Sequence, residues 1–247
     1  MDISHANIKK FYDSELGGVV QNILCSHISG LWGDAHGLRV MGCGYVDPYL
    51  YTFARGSERV IAMSPFNKDV QASSNKNRIF VSSEAQMPIE SCSVDRILLI
   101  HYLEYCDNLQ ESLREVWRIL KSNGRAIIVV PNRMGVWARA DLSPFGHGHP
   151  FTYSQISSSL RDNLFIQEHH KGALFVPPVP NSPVLMKSAN LIEKMGGSIF
   201  PFVAGAHIVE VSKQIYASID SSGGGSSVLA KTKEILTGKG AAVPQGF

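Results

Sequence analysis

Two glycines one residue apart, Gly42 and Gly44 around Cys43, follow the apolar run Leu38–Met41. Glycine lets a backbone pass close to a ligand, because no Cβ stands in the way. Asp47 and Pro48 come next, residue types that cap a helix and open its first turn. Strand, glycine turn and helix make up the unit with which open α/β sheets hold nucleotide-type ligands, although the same turn also serves as a plain βα connection. His101 follows a second apolar run. As a histidine it suits a general base or a substrate-orienting group, or it packs as a strand-end histidine. Asn132, Arg133, Trp137, Arg139 and His147 lie in a long loop, 131–150, at the carboxyl end of a strand, where open sheets place ligands. Arginines beside an aromatic suit an anionic or planar substrate; the alternative is a loop pinned by arginine bonds to backbone carbonyls. Glu104 reads as a partner for Arg133 or Arg139, or as a helix-initiating acid. His147-Gly148-His149 lacks a further spaced ligand, so no metal is expected. Cys43 reads as a small buried side chain rather than a reactive thiol.

These residues need a scaffold. Apolar runs predict strands over 37–41, 58–63, 78–82, 95–100 and 125–130. Helix 48–54 follows the glycine turn, and residues 67–77 are polar and irregular. The pair Asn108 and Glu111 starts a helix with Leu109, Leu113, Val116, Trp117 and Leu120 on one face, stopped by Gly124. Repeated alternation of strand and helix argues for a doubly wound sheet. Past the long loop come a helix over 152–161, a strand over 164–169, a helix over 183–195 stopped by Gly196-Gly197, and a last strand over 207–216. Helical spacing over 3–32, broken at Gly17-Gly18, supplies a cover for the sheet, and Phe11-Tyr12 would line a pocket if that cover acted as a lid. Residues 1–217 thus read as one domain with a helical cover over 1–36, and 218–247, glycine- and serine-rich at first, as a disordered tail.

Composition narrows the function classes. The 247 residues are 44% hydrophobic and 18% charged, with a net charge of +2, which provides no field for nucleic acid or anionic lipid and leaves a small-molecule partner. Four cysteines form neither a C-x-x-C pair nor a zinc spacing, which reads as reduced thiols in the cytoplasm. No signal peptide or 18-residue apolar span is expected, and oligomeric state is not legible.

Three blocks carry a family resemblance. Met87-Pro88-Ile89-Glu90-Ser91-Cys92-Ser93-Val94-Asp95-Arg96-Ile97 resembles the "leucine-proline-phenylalanine, then serine-phenylalanine-aspartate" stretch of class I S-adenosylmethionine-dependent methyltransferases of the type 11 kind. His101-Tyr102-Leu103-Glu104-Tyr105 is similar to their H-x-L-E-H, and Leu113 to Arg125 to their LREVxRVLKPGGR. The resemblance covers about residues 37–135. It implies a Rossmann-like α/β fold, a seven-stranded sheet with the last strand antiparallel, and S-adenosylmethionine as cofactor. It implies further that Gly42, Cys43 and Gly44 meet the amino-acid part of the cofactor, that Ser64 at the end of the second strand meets the ribose, and that Ser83-Glu84-Ala85 meets the adenine. His101 would lie at the pocket mouth. The sequence departs from the family at its acids. Met41 stands where the family has an acid before the first glycine, and Met63-Ser64 where an acid accepts the ribose hydroxyls; Ser83 replaces the adenine-binding aspartate, and the third turn glycine is absent, with Val46 nearby. Two function classes follow: a methyltransferase for a small molecule, and a protein of that fold that binds without transferring.

Overall fold

The computed structural model describes residues 5–64, 79–82, 86–141, 143–180, 182–199 and 203–214. The segment 67–77, the adenine candidates Ser83, Glu84 and Ala85, and the tail 218–247 lie outside the described residues.

The strands are β1 (Arg39–Gly44), β2 (Arg59–Ser64), β3 (Ile79–Val81), β4 (Val94–Ile100), β5 (Leu120–Pro131), β6 (Phe165–Ala173) and β7 (Ala206–Lys213). They lie in one mixed sheet in the order β3-β2-β1-β4-β5-β7-β6. β1 pairs in parallel with both β2 and β4, with Gly42 opposite Leu98 and Gly44 opposite Ile100. β7 runs antiparallel to both β5 and β6. The expected Rossmann-like α/β architecture is present, with the strand order reversing between β1 and β4.

The helices are α1 (His5–Tyr12), α2 (Glu15–Trp32), α3 (Asp47–Leu50), α4 (Leu109–Ile119), α5 (Tyr153–Asp162) and α6 (Pro183–Ile199). Side chains alternate across each strand, so the sheet buries two faces. One face packs Val40, Leu98, Ile100, Ile127, Val129 and Ile208 with α1, α2 and α3. The other packs Met41, Ile97, Leu99, Ile128, Val209 and Val211 with α4 and α5. This is why the central strands read as continuous apolar runs.

Several boundaries differ from the sequence reading, and glycine is the usual reason. The first helical region breaks at Asp13-Ser14, not at Gly17-Gly18: Ser14 is extended and its hydroxyl accepts the Gly17 N–H. Gly17 lies inside α2, where a Cβ would fall 2.1 Å from the Phe11 carbonyl oxygen, so it is there to let α1 fold back. Gly124 does not stop α4, which ends at Ile119; β5 begins at Leu120, paired with Val94, before its main register with β4 from Arg125. Gly196 and Gly197 do not stop α6, since Gly196 instead makes room for the Phe175 ring. Asp47 does not cap α3; Val46 holds that position without a side-chain bond, and the helix becomes a 3-10 turn over Tyr51–Phe53. β6 extends to Ala173 rather than 169, and β7 ends at Lys213 rather than 216. The capping box of Thr152 and Gln155 on α5 forms in both directions.

Candidate active site

The glycine turn sits where β1 and β4 diverge at their carboxyl ends. Gly44 has φ 93°, in the left-handed region, and a Cβ on it would fall 2.2 Å from the Ile100 carbonyl oxygen. A Cβ on Gly42 would meet Val46 Cγ2 at 2.5 Å. Both glycines are therefore demanded by the chain's own packing as well as by any ligand. The Tyr45 amide donates to the Ile100 carbonyl, tying the turn to β4. Cys43 is buried and its thiol pKa is pushed far up by that burial, which rules out a resting thiolate. Ser64 is buried at the end of β2, one position beyond Met63, which pairs with Cys43.

His101 does not lie at a pocket mouth. It is fully buried, with φ 51°, immediately after β4. Its Nδ1 is 3.0 Å from Glu104 Oε1 and its Nε2 is 2.9 Å from the Tyr12 hydroxyl. Tyr49 donates to the Tyr12 oxygen at 3.0 Å, leaving the Tyr12 proton for His101 Nε2; the Nδ1 proton then faces Glu104. Glu104 is fully buried as well, so it partners His101 rather than Arg133 or Arg139. Its Oε2 has no hydrogen-bond partner among the described residues. Aromatic rings enclose the group: Tyr45 stacks on Tyr12 at 4.9 Å, and Phe145 stands edge-on to His101 at 4.7 Å. Burial drives the Tyr12 and Tyr49 hydroxyl pKa values far up and that of Tyr45 to about 12. These phenols are proton donors, not bases, near neutral pH.

Four of the five loop candidates bond to backbone carbonyls, of the loop itself or of the segments beside it. Asn132 is buried, its amide donating to the Ala204 carbonyl and its Oδ1 accepting from Met134. Arg133 is exposed and binds the Pro150 carbonyl through two nitrogens. Trp137 is buried and donates to the Val176 carbonyl. His147 Nε2 meets the Asp141 carbonyl, and Arg139 is exposed. The structure does not gather these five side chains around the glycine turn. The group it does gather there contains Tyr12, Tyr45 and Tyr49. The sequence marks Tyr12 only as half of an aromatic pair; its polar link to His101 leaves no local signal, because the two residues are 89 apart.

The blocks that resemble family motifs bind one another. Arg118 donates to the carbonyls of Met87 and Ile89 and to Glu115, while Glu115 accepts the Met87 amide. Lys121 holds both oxygens of Asp95. The Cys92 and Ser93 amides donate to the Arg118 and Ile119 carbonyls. These residues lock the segment entering β4 to the end of α4 and the start of β5.

Comparison with known proteins agrees with this architecture. Residues 40–128 match the model of the methyltransferase domain family. No curated protein sequence matches the chain. Among solved structures, a Haloferax volcanii methyltransferase in complex with the Trm112 activator superposes with a TM-score of 0.60 at 13% identity, covering 87% of this chain and 100% of that one. A Thermotoga maritima S-adenosylmethionine-dependent methyltransferase gives 0.60 at 13% identity, with 83% and 94% covered. An Archaeoglobus fulgidus enzyme of the same description gives 0.59 at 14%, with 78% and 94% covered. At such identities the likeness is one of fold.

Proposed function

We infer from its class I methyltransferase domain that this chain is an S-adenosylmethionine-dependent methyltransferase acting on a small molecule. The observation that carries the reading is the family match over 40–128, which runs from β1 into β5 and includes the point where the strand order reverses. Open α/β sheets bind ligands at that crevice. When bound, the cofactor supplies an electrophilic methyl group on a sulfonium.

The residues present fit that group by shape and hydroxyl chemistry rather than by charge. The Gly42–Gly44 turn, with its left-handed Gly44, would lie along the amino-acid part, and the buried Ser64 hydroxyl at the end of β2 would accept from the ribose. Ser83, Glu84 and Ala85 remain the proposed adenine contacts. Losing a charged acceptor outright costs about 1.5–3 kcal/mol, or roughly 10- to 150-fold in affinity, of which the Ser64 hydroxyl would recover part. A modest affinity is therefore the expectation. His101, backed by Glu104, is the proposed catalytic histidine. Asn132, Arg133, Trp137, Arg139 and His147 are proposed to shape the acceptor side of the cleft as a rigid wall. A net charge of +2 supports a small acceptor over nucleic acid, and four free cysteines support a cytoplasmic setting. No helix among the described residues is long and apolar enough to cross a membrane.

The second reading, a protein of this fold that binds without transferring, is favoured by the closed Tyr12–His101–Glu104 group. Calorimetric titration of the full chain with S-adenosylmethionine and S-adenosylhomocysteine separates the two. Micromolar binding of both supports the enzyme, and millimolar or absent binding of both overturns it.

A further inference from the structure

We propose that Tyr12 fills a binding place for a phenol-type hydroxyl, so that a planar aromatic alcohol and the N-terminal helix compete for the same space. The walls of this place belong to the sheet and its first crossover. Tyr45 lies parallel to the Tyr12 ring, 4.9 Å away with 11° between planes, and Tyr49 stands edge-on at 6.2 Å. His101 closes the β4 side at 5.8 Å. The occupant comes from elsewhere, since Tyr12 ends an eight-residue helix set off from α2 by the break at Asp13-Ser14. The location is the reversal point of the strand order, where this class of sheet receives ligands.

The polar ends define the chemistry of the ligand. His101 Nε2 offers an acceptor at 2.9 Å and Tyr49 offers an O–H donor at 3.0 Å to the same oxygen. A hydroxyl satisfies both at once, donating to one and accepting from the other. A carboxylate would accept from Tyr49 but present no proton to His101, with the Glu104 carboxylate directly behind. An ammonium would donate to His101 but accept nothing from Tyr49. Glu104 acts here as a positioning residue: by accepting the hydrogen bond from Nδ1–H it leaves the Nε2 lone pair facing the hydroxyl. The left-handed backbone of His101 and a carboxylate with one unbonded oxygen are costly features, of the kind retained where a side chain must be aimed. The inference deepens the proposed function, and rests on it only in taking the bound hydroxyl as the acceptor's.

The test uses the full chain carrying Tyr12→Ala, checked for folding by thermal melting, with phenol and toluene as calorimetric probes. Phenol should bind the variant at least about tenfold tighter than it binds wild type, and at least about tenfold tighter than toluene binds the variant, the loss expected when a hydrogen-bonding site is offered an analogue without the hydroxyl. His101→Leu in the same background should abolish the preference. Equal binding of phenol and toluene, or none of either to a folded variant, overturns the proposal. If Tyr12→Ala does not fold, Tyr12→Phe decides: removing the hydroxyl alone should shift the 15N resonance of His101 Nε2 and leave Nδ1 in place, and an unmoved Nε2 overturns the proposal. None of these readouts involves the methyl donor. A phenol preference without cofactor binding keeps this site and removes the methyltransferase reading; cofactor binding without a phenol preference does the reverse.

Discussion

Glu104 is the side chain whose role changed most between sequence and fold. Read alone, it is a helix-initiating acid or a partner for a loop arginine; in place, it lies in the first turn of the 3-10 helix Leu103–Tyr105 and, fully buried, orients His101 rather than an arginine. A buried charge is tolerated only with a well-placed partner, so cutting it back should be expensive. Glu104→Ala is expected to destabilise the fold by about 3 kcal/mol in denaturant titration, while Tyr12→Phe, which leaves an acceptor nitrogen unmatched, should cost about 1–3 kcal/mol. Arg118 belongs to the same scale. Its guanidinium joins Met87, Ile89 and Glu115, a planar fork that lysine cannot reproduce, so Arg118→Lys should lower the thermal midpoint nearly as far as Arg118→Ala.

At the scale of elements, the two adjacent glycines of α2 make opposite predictions. A Cβ at Gly17 would fall 2.1 Å from the Phe11 carbonyl oxygen, a backbone atom that cannot step aside, whereas one at Gly18 would meet nothing within 4 Å. Gly17→Ala should therefore destabilise by about 1–3 kcal/mol and loosen α1 from α2. Gly18→Ala should stabilise by about 0.5–1 kcal/mol, since alanine loses less freedom than glycine in a helix interior. Equal midpoints for the two variants in thermal melting would contradict the helix break at Asp13-Ser14.

Across the whole molecule, the far edge of the sheet carries a pH response. His207 on β7 and His170 on β6 are 3.2 Å apart through Nδ1 and Nε2, with Tyr153 of α5 stacked on His170 at 4.0 Å. Burial, aided by His170, lowers the His207 pKa from its ordinary 6.5 to about 4, and burial lowers that of His170 as well. Both shifts are downward, so the unfolded chain binds protons that the folded chain refuses as pH falls below 6.5. Stability is then complete above pH 6.5 and is lost progressively toward pH 4, by up to about 3 kcal/mol for His207. Chemical denaturation at pH 7 and pH 5 should show this slope in wild type, and His207→Leu should flatten it.

The order of strands and helices could be read from the sequence because it depends on local quantities. Buried parallel strands need apolar residues on both sides, and the blocks around Met87–Ile97 and Leu113–Arg125 hold the types that later bind one another. Glycine was the unreliable mark. Gly17, Gly124 and Gly196 read as breaks, yet Gly17 and Gly196 each accommodate a neighbour from another segment, which nothing in the adjacent residues records, and Gly124 lies inside β5 against Leu120 of the same strand. The long loop was legible as a loop, but whether Arg133 faces a ligand or the Pro150 carbonyl depends on how the loop closes on itself.

The sequence by itself determined the sheet: apolar runs of fixed length, a glycine turn after the first, and paired motif blocks admit few other architectures. Only the tertiary structure decided what occupies the end of β1. Tyr12 comes from α1, Tyr49 from α3, and His101 and Glu104 from the turn after β4, and their hydrogen-bonded chain exists only because α1 folds back over the place where the strand order reverses. Spacing along a chain encodes which face a residue takes; it does not encode which distant residue will meet it there.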